Sequence, residues 1–339
     1  MKKVKSAALF TCVIILTQCS SKQSSSTDVS VVSKIPLTAT SSYYASNRSP
    51  LVSTVLIKLP VTAVKPQGWL REYLIRQRNG LTGNLGNISA WLTKKNNAWL
   101  SKDGKGEFGW EEVPYWLKGY ANIGYILDDE KMIAESKIWL EGVLNSQRTD
   151  GNFGPTTIDK NGAEDFWPKM IMMYCLQSYY EFSGNKRVVS FMQNFFKYQL
   201  SYPEEKFIKQ FHYWQGLRTG DNLHSVLWLY NITGDSWLLD LAKKIHRNST
   251  SWVNRHNQNV TGNEGADKYD WFKQLPDWHN VNVAQGFREP ATYYQLSKDS
   301  ADLRASYEVF GIIRKYFGQV PGGMFGSDEV ARAGYTDPR

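Results

Sequence analysis

Cysteine is nearly absent. The 339 residues hold three, Cys12, Cys19 and Cys175, and the first two fall in a short N-terminal leader. One remaining thiol can form neither an intrachain disulfide nor a cysteine-based metal site. Cys175 stands in the apolar stretch KMIMMYCLQSYY, a setting for a buried structural thiol rather than a reactive one. Histidine is also scarce, with five residues. None of His212, His246 and His256 shares metal-type spacing with a second ligand, so no metal is assigned to this chain. His224, between Leu223 and Leu227, reads as a helix-packing histidine. No phosphate loop ending in Gly-Lys-Ser/Thr occurs, and the Gly-punctuated QRTDGNFGP from Gln147 reads as an interhelix turn. Positive charge is in excess by +8, but Lys2, Lys3 and Lys5 belong to the leader, leaving 37 basic residues of the 40 against 32 acidic ones. With no basic cluster on an aromatic platform, nucleic acid is excluded as a partner.

Three segments can be read along the chain. Residues 1–19, MKKVKSAALFTCVIILTQC, combine a cationic start, an apolar run of roughly ten residues and a terminal cysteine, the pattern of a secretory signal too short to span a bilayer. LTQC resembles a bacterial lipobox, which makes Cys19 the expected lipidation site. The mature protein is then exported and lipid-anchored in the cell envelope, periplasmic or at the outer membrane. Residues 20–54 carry twelve serines and little apolar periodicity, and are expected to be a tether. The folded domain is expected over 55–339.

Past residue 65 one phrase recurs: YILDDEKMI from Tyr125, YEFSGNKRV from Tyr180, YNITGDSWL from Tyr230 and YQLSKDSAD from Tyr294. Gly184 and Gly234 suit the left-handed residue that ends a helix, and the residues after them suit the cap of the next. Each phrase is therefore a turn between helices. The spacing of about 50 to 64 residues fits an αα-hairpin repeat, built either as an open solenoid or as a closed ring of inner and outer helices.

Upstream of each phrase lies a polar and aromatic cluster: Glu111 and Glu112, Asp165 and Trp167, Arg218 and Asp221, then His279, Asn280 and Gln285. Parallel inner helices would gather these clusters around one opening. Carboxylates, amides and indoles at helix starts suit a neutral polyol, whose hydroxyls take polar partners and whose apolar faces stack on rings. The same acids could instead compensate helix dipoles. In QVPGGMFGSDEV, Glu329 follows Gly322, Gly323 and Gly326, which let backbone approach a ligand, and is a candidate general acid.

The stretches WEEVPYWLKGYANIGYILDDEKMIAESKIWLEGVLNSQRTDGNFGP, DFWPKMIMMYCLQSYYEFSGNKRV, GDNLHSVLWLYNITGD, HNVNVAQGFREPATYYQLS and GQVPGGMFGSDE together resemble the catalytic domain of glycoside hydrolase family 127 and its relative family 146, which include β-L-arabinofuranosidases. The resemblance implies an all-α (α/α)6 barrel-type toroid followed by β-sandwich domains, and an oligosaccharide or plant cell-wall glycan as substrate. It implies a retaining mechanism with a cysteine thiolate nucleophile held at zinc, and Glu329 matches the family's acid/base position. Two histidines of the family pattern are replaced near Lys169 and Thr219, while His279 is kept. The family's Glu-Thr-Cys zinc motif is expected just beyond Arg339. The toroid is therefore expected to be incomplete at its C-terminus, zinc to belong only to the complete protein, and these residues to be catalytically inactive alone. The alternative expectation is a non-catalytic glycan-binding lipoprotein. A helical-barrel enzyme for uronates ranks last, because Arg218 is the only obvious basic residue at the opening.

Overall fold

The computed structural model describes residues 41, 43–208, 213–250, 252, 280–316 and 322–323. Cys19, His279 and Glu329 lie outside the described residues. Among the described residues every regular element is helical: α1 (Gly68–Asn79), α2 (Leu81–Ile88), α3 (Glu112–Leu127), α4 (Glu130–Asn145), α5 (Trp167–Ser183), α6 (Arg187–Ser201), α7 (Tyr213–Leu217), α8 (Thr219–Thr233), α9 (Trp237–Asn248), α10 (Asn280–Gly286), α11 (Glu289–Ser297) and α12 (Ser300–Tyr316).

The four tyrosine phrases turn an inner helix into an outer one. Asp128, Gly184, Gly234 and Lys298 end α3, α5, α8 and α11 in the left-handed region, at φ of 55°, 68°, 80° and 61°, which stops each helix within one residue. After the first turn Asp129 caps α4, its carboxylate accepting from the Met132 N–H at 3.0 Å, a contact worth about 1 kcal/mol. Helices α3, α5, α8 and α11 pack side by side in that order, and α4, α6 and α9 form an outer layer, each against its own inner partner. Because each outer helix carries the chain back, the inner helices run parallel and all start at one rim. The fold is an all-α toroid of hairpins.

The space between the two layers is apolar. Trp139, Leu140 and Val143 of α4, Phe191, Phe195 and Phe196 of α6, and Leu238, Leu241 and Ile245 of α9 are buried against Met170, Met173, Leu176, Leu223 and Val226 of the inner ring. Each such side chain contributes roughly 1.5–3 kcal/mol. The first hairpin differs: α1 and α2 bury none of their residues and leave Trp69, Tyr73, Leu81 and Ile88 exposed.

The fold begins before residue 55, which corrects the expected extent of the tether. Tyr44 and Leu51 are buried in the core, and residues 43–65 run across the C-terminal ends of the inner helices. Glu181 of α5 is the centre of this strap. Its carboxylate accepts from the Tyr44 hydroxyl and the Lys58 ammonium, and from the Val61 N–H at 2.8 Å. The Tyr44 hydroxyl in turn accepts from the Trp228 indole of α8 at 2.9 Å. Asn47 donates to Gln295 of α11 at 2.8 Å, and the Arg48 N–H to Asn231 of α8 at 2.8 Å. Lys65 donates to the Tyr125 and Ile126 carbonyls at 3.1 Å each, placing a cation on the negative end of α3. A Ser-rich composition conceals these contacts because they are made to helix ends, not through an apolar stripe.

Two measurements test these contacts. Glu181→Ala strands the Tyr44 hydroxyl, Lys58 and the Val61 N–H together, so urea unfolding should show a loss of roughly 2–4 kcal/mol; a loss under about 0.5 kcal/mol would mean that the strap does not hold. The second concerns His246 of α9, whose Nδ1 lies 2.9 Å from Glu289 of α11 and whose ring stacks on Tyr293. Burial disfavours the imidazolium, but the Glu289 hydrogen bond and charge, with Asp302 nearby, outweigh it and raise His246 above its ordinary 6.5. Burial also raises Glu289, so the folded pair holds its proton more tightly than the unfolded chain does. The share of stability that comes from His246 should be complete below pH 6.5 and fall as pH rises past that value. His246→Gln, which can donate to Glu289 but does not titrate, should flatten that decline in thermal melts.

Candidate functional site

Inner helices of a toroid carry apolar residues outward and polar ones toward the centre. In α3 and the residue before it, Glu111, Tyr115, Lys118 and Asn122 recur at helical spacing, and in α5 Tyr174, Gln177, Ser178 and Glu181 do the same. From Lys118 and Tyr174 downward these stripes, with Asp221 of α8 and Ala284, Gln285 and Arg288 around α10, line a cavity of about 470 Å³ whose far end is the strap at Lys58, Leu59 and Val61.

Near the starts of the inner helices the lumen wall is held by Asp221. Its Oδ1 accepts from the Tyr174 hydroxyl at 2.9 Å and pairs with Arg288, which also donates to Tyr174. Burial pushes the Asp221 carboxyl above its ordinary range, with Arg288 pulling the other way. Burial likewise raises the Tyr174 phenol, so it donates throughout the physiological range. Gln285 donates to the Tyr115 hydroxyl at 3.1 Å. Five side-chain atoms of this wall are buried without a hydrogen-bond partner among the described residues: Asn122 Oδ1, Gln177 Oε1, Asp221 Oδ2, Gln285 Oε1 and Arg288 Nε. Each costs of order 1–3 kcal/mol if left so.

Above the cavity stand the residues picked out at the helix starts. Glu111 accepts from the Trp167 indole and lies 3.6 Å from Arg218 Nη1. Burial raises its carboxyl although Trp167 and Arg218 both favour the charged form. Glu112 is half-buried in the first turn of α3. Arg218 donates to Asn282 at 2.8 Å and covers the face of Trp167, its guanidinium carbon 4.4 Å from the ring centroid. Trp167 is fully buried, so the stacking surface expected of it is already taken by Arg218 and by the edge of Tyr115. The exposed indole of the rim is Trp110, whose N–H is held by Asp165 at 2.8 Å. Asn280 opens α10, with its side chain outside the described residues.

Sequence reasoning missed Lys118, Tyr174 and Arg288. Arg218 is therefore not the only basic residue of the site: Lys118 and Arg288 line the lumen, with Lys58 at its far end. The available signal was the polar stripe at helical spacing inside otherwise apolar helices. Lys169 does not face the lumen; it is fully buried, paired with Glu164 and bonded to Asn152 at 2.9 Å. His224, with its ring 5.5 Å from Tyr174, is pushed down by burial to about 4 and stays neutral.

Among the described residues no three His, Cys, Asp or Glu side chains gather where they could hold a metal ion. Cys175 is fully buried in α5 and directs its thiol at the Pro114 carbonyl, 3.4 Å away. Burial pushes that thiol up to about 12.

An all-α toroid with a polar lumen, a strap-closed floor and an aromatic, carboxylate-bearing rim is an architecture suited to carbohydrate. The chain belongs to the family of β-L-arabinofuranosidase GH127 catalytic domains, whose model matches residues 58–339. Among solved structures it is similar to a GH127 β-L-arabinofuranosidase from Geobacillus stearothermophilus T6, at 16% identity and a TM-score of 0.49, over 79% of this chain and 48% of that one. The chain thus spans about half the length of that protein. No curated protein matches it.

Cys175 supplies a direct check on the packing. Iodoacetamide at pH 7.5 should leave Cys175 unmodified in the native protein, as read by peptide mass mapping, and label it at a rate that follows global unfolding in urea. Labelling at the rate of a free thiol would contradict the buried, protonated state.

Proposed function

We propose that this chain is the glycan-recognising helical domain of an exported, lipid-anchored glycoside hydrolase of the β-L-arabinofuranosidase type, acting on plant cell-wall glycans. The observation that carries this reading is the polar lining of the cavity by Asn122, Tyr174, Gln177, Asp221 and Gln285. A sugar ring brings hydroxyls that both donate and accept, and can meet amide, phenol and charged side chains of this kind at once. The cavity, about 470 Å³, is of ordinary size for a small-molecule site. Trp110 at the rim offers a ring face to the apolar side of a sugar. The leader ending at Cys19 supports export and lipidation. Glu329 is the proposed acid/base, holding the proton that a leaving glycosidic oxygen needs.

Cys175 favours recognition without turnover by these residues. The family's chemistry needs an ionised thiolate, and the one cysteine beyond the leader is buried with its thiol pushed up to about 12. Calorimetric titration with methyl β-L-arabinofuranoside should show saturable binding, weakened at least about tenfold by Asp221→Ala through loss of the Arg288 and Tyr174 anchor, and no L-arabinose should be released. Absence of saturable binding would overturn the reading. Release of L-arabinose by the 339-residue chain would overturn the inactivity but not the substrate.

A further inference from the structure

We infer that His224 of α8 is a ligand-binding residue of the lumen, presenting the Nε2–H of its imidazole to a hydroxyl oxygen of the bound sugar. This rests on the glycan-recognising reading above and names a specificity-determining residue of the same site. Register is the first support. Asp221 lines the cavity, and Trp228 of the same helix donates to the Tyr44 hydroxyl of the strap at 2.9 Å. His224 follows Asp221 by three residues and precedes Trp228 by four, the spacing that keeps side chains on one face of a helix. That face of α8 runs from the lumen wall to its floor, with His224 between. The adjacent Ser225 accepts from Gln177, which also lines the cavity, at 3.0 Å.

The surroundings of the ring agree. Its centroid lies 5.5 Å from that of Tyr174, and the charges acting on it are those of Arg288 and Lys58, both of which line the cavity. Each of these cations is paired with a carboxylate, Arg288 with Asp221 and Lys58 with Glu181. Facing two cations and largely withdrawn from water, the imidazole is neutral at physiological pH, and so has one N–H and one bare nitrogen. Nδ1 is buried and meets no hydrogen-bond partner among the described residues. A proton there would find no acceptor, which assigns it to Nε2, on the edge through which the residue is partly exposed. Lys118 and Arg288 give the wall charged donors. His224 adds a neutral one, which suits a hydroxyl oxygen and costs less to strip of water when a sugar covers it.

A histidine that only packs needs the shape of its ring, whereas a binding histidine needs its N–H, and two variants separate these roles. His224→Phe keeps a ring against Tyr174 without a donor; His224→Gln keeps a donor without the ring. Methyl β-L-arabinofuranoside is titrated into the 339-residue chain and both variants, with thermal melts confirming that the variants fold. His224→Phe should weaken binding at least about tenfold, and His224→Gln should keep the larger part of the affinity. The opposite order, or unchanged affinity in the phenylalanine variant, overturns the inference and leaves the glycan reading intact. Where both variants bind weakly or fail to fold, NMR of nitrogen-labelled histidine in the unsubstituted chain decides. The His224 ring, recognised by its titration at about 4, should carry its proton on Nε2, and that resonance should move saturably with added sugar. A resonance that stays still while the sugar binds overturns the inference alone; absence of binding to the unsubstituted chain overturns both readings.

Discussion

A carboxylate buried in the first turn of α8 ties three of the inner helices together. Asp221 holds Tyr174 of α5 and Arg288 at the start of α11 through one oxygen, and leaves the other facing no protein donor. Charge withdrawn from water is tolerable only when it is paired, so α5, α8 and α11 can approach at this end only in the geometry that brings these groups together. The lumen takes its width from that constraint. The same group that sets the spacing of the ring also presents an unsatisfied acceptor to its interior, which makes structure and recognition hard to separate at this residue.

The hairpins were legible because the turns are local. A left-handed residue after an aromatic anchor, followed by a capping acid such as Asp129, needs nothing beyond its own few neighbours. The helix-start clusters were read from the same register, and among the described residues Glu111 stands just before α3 and Asp221 in the first turn of α8. What the sequence concealed depends on contacts made far along the chain. Lys118 reads as an ordinary surface lysine until the ring places it beside Tyr174, and Trp167 reads as a sugar platform until Arg218 is found covering it. The strap was misread for a related reason: Tyr44 and Lys58 are separated from Glu181 by more than 120 residues, and serine-rich composition says nothing about such partners.

Buried charge is distributed unevenly through the molecule. Lys169 and Glu164, sealed from water behind α5, neutralise each other and serve the fold. Among the described residues, charges on the lumen wall are paired less completely: Lys118 acts on Asp221 only through space, and Asp221 and Arg288 each keep an atom without a hydrogen-bond partner. That contrast separates a structural pair from a receptive surface more clearly than residue type does, since both places use the same lysines and carboxylates.

The floor of the lumen has a consequence for the shape of what can enter. With the chain laid across the C-terminal ends of the inner helices and locked at Glu181, the described walls of the cavity end on the strap and form a pit, not a tunnel. A polymer cannot be threaded through a pit. Under the proposed function, a glycan would reach this floor only with a terminus or a short side branch, entering and leaving by the same mouth.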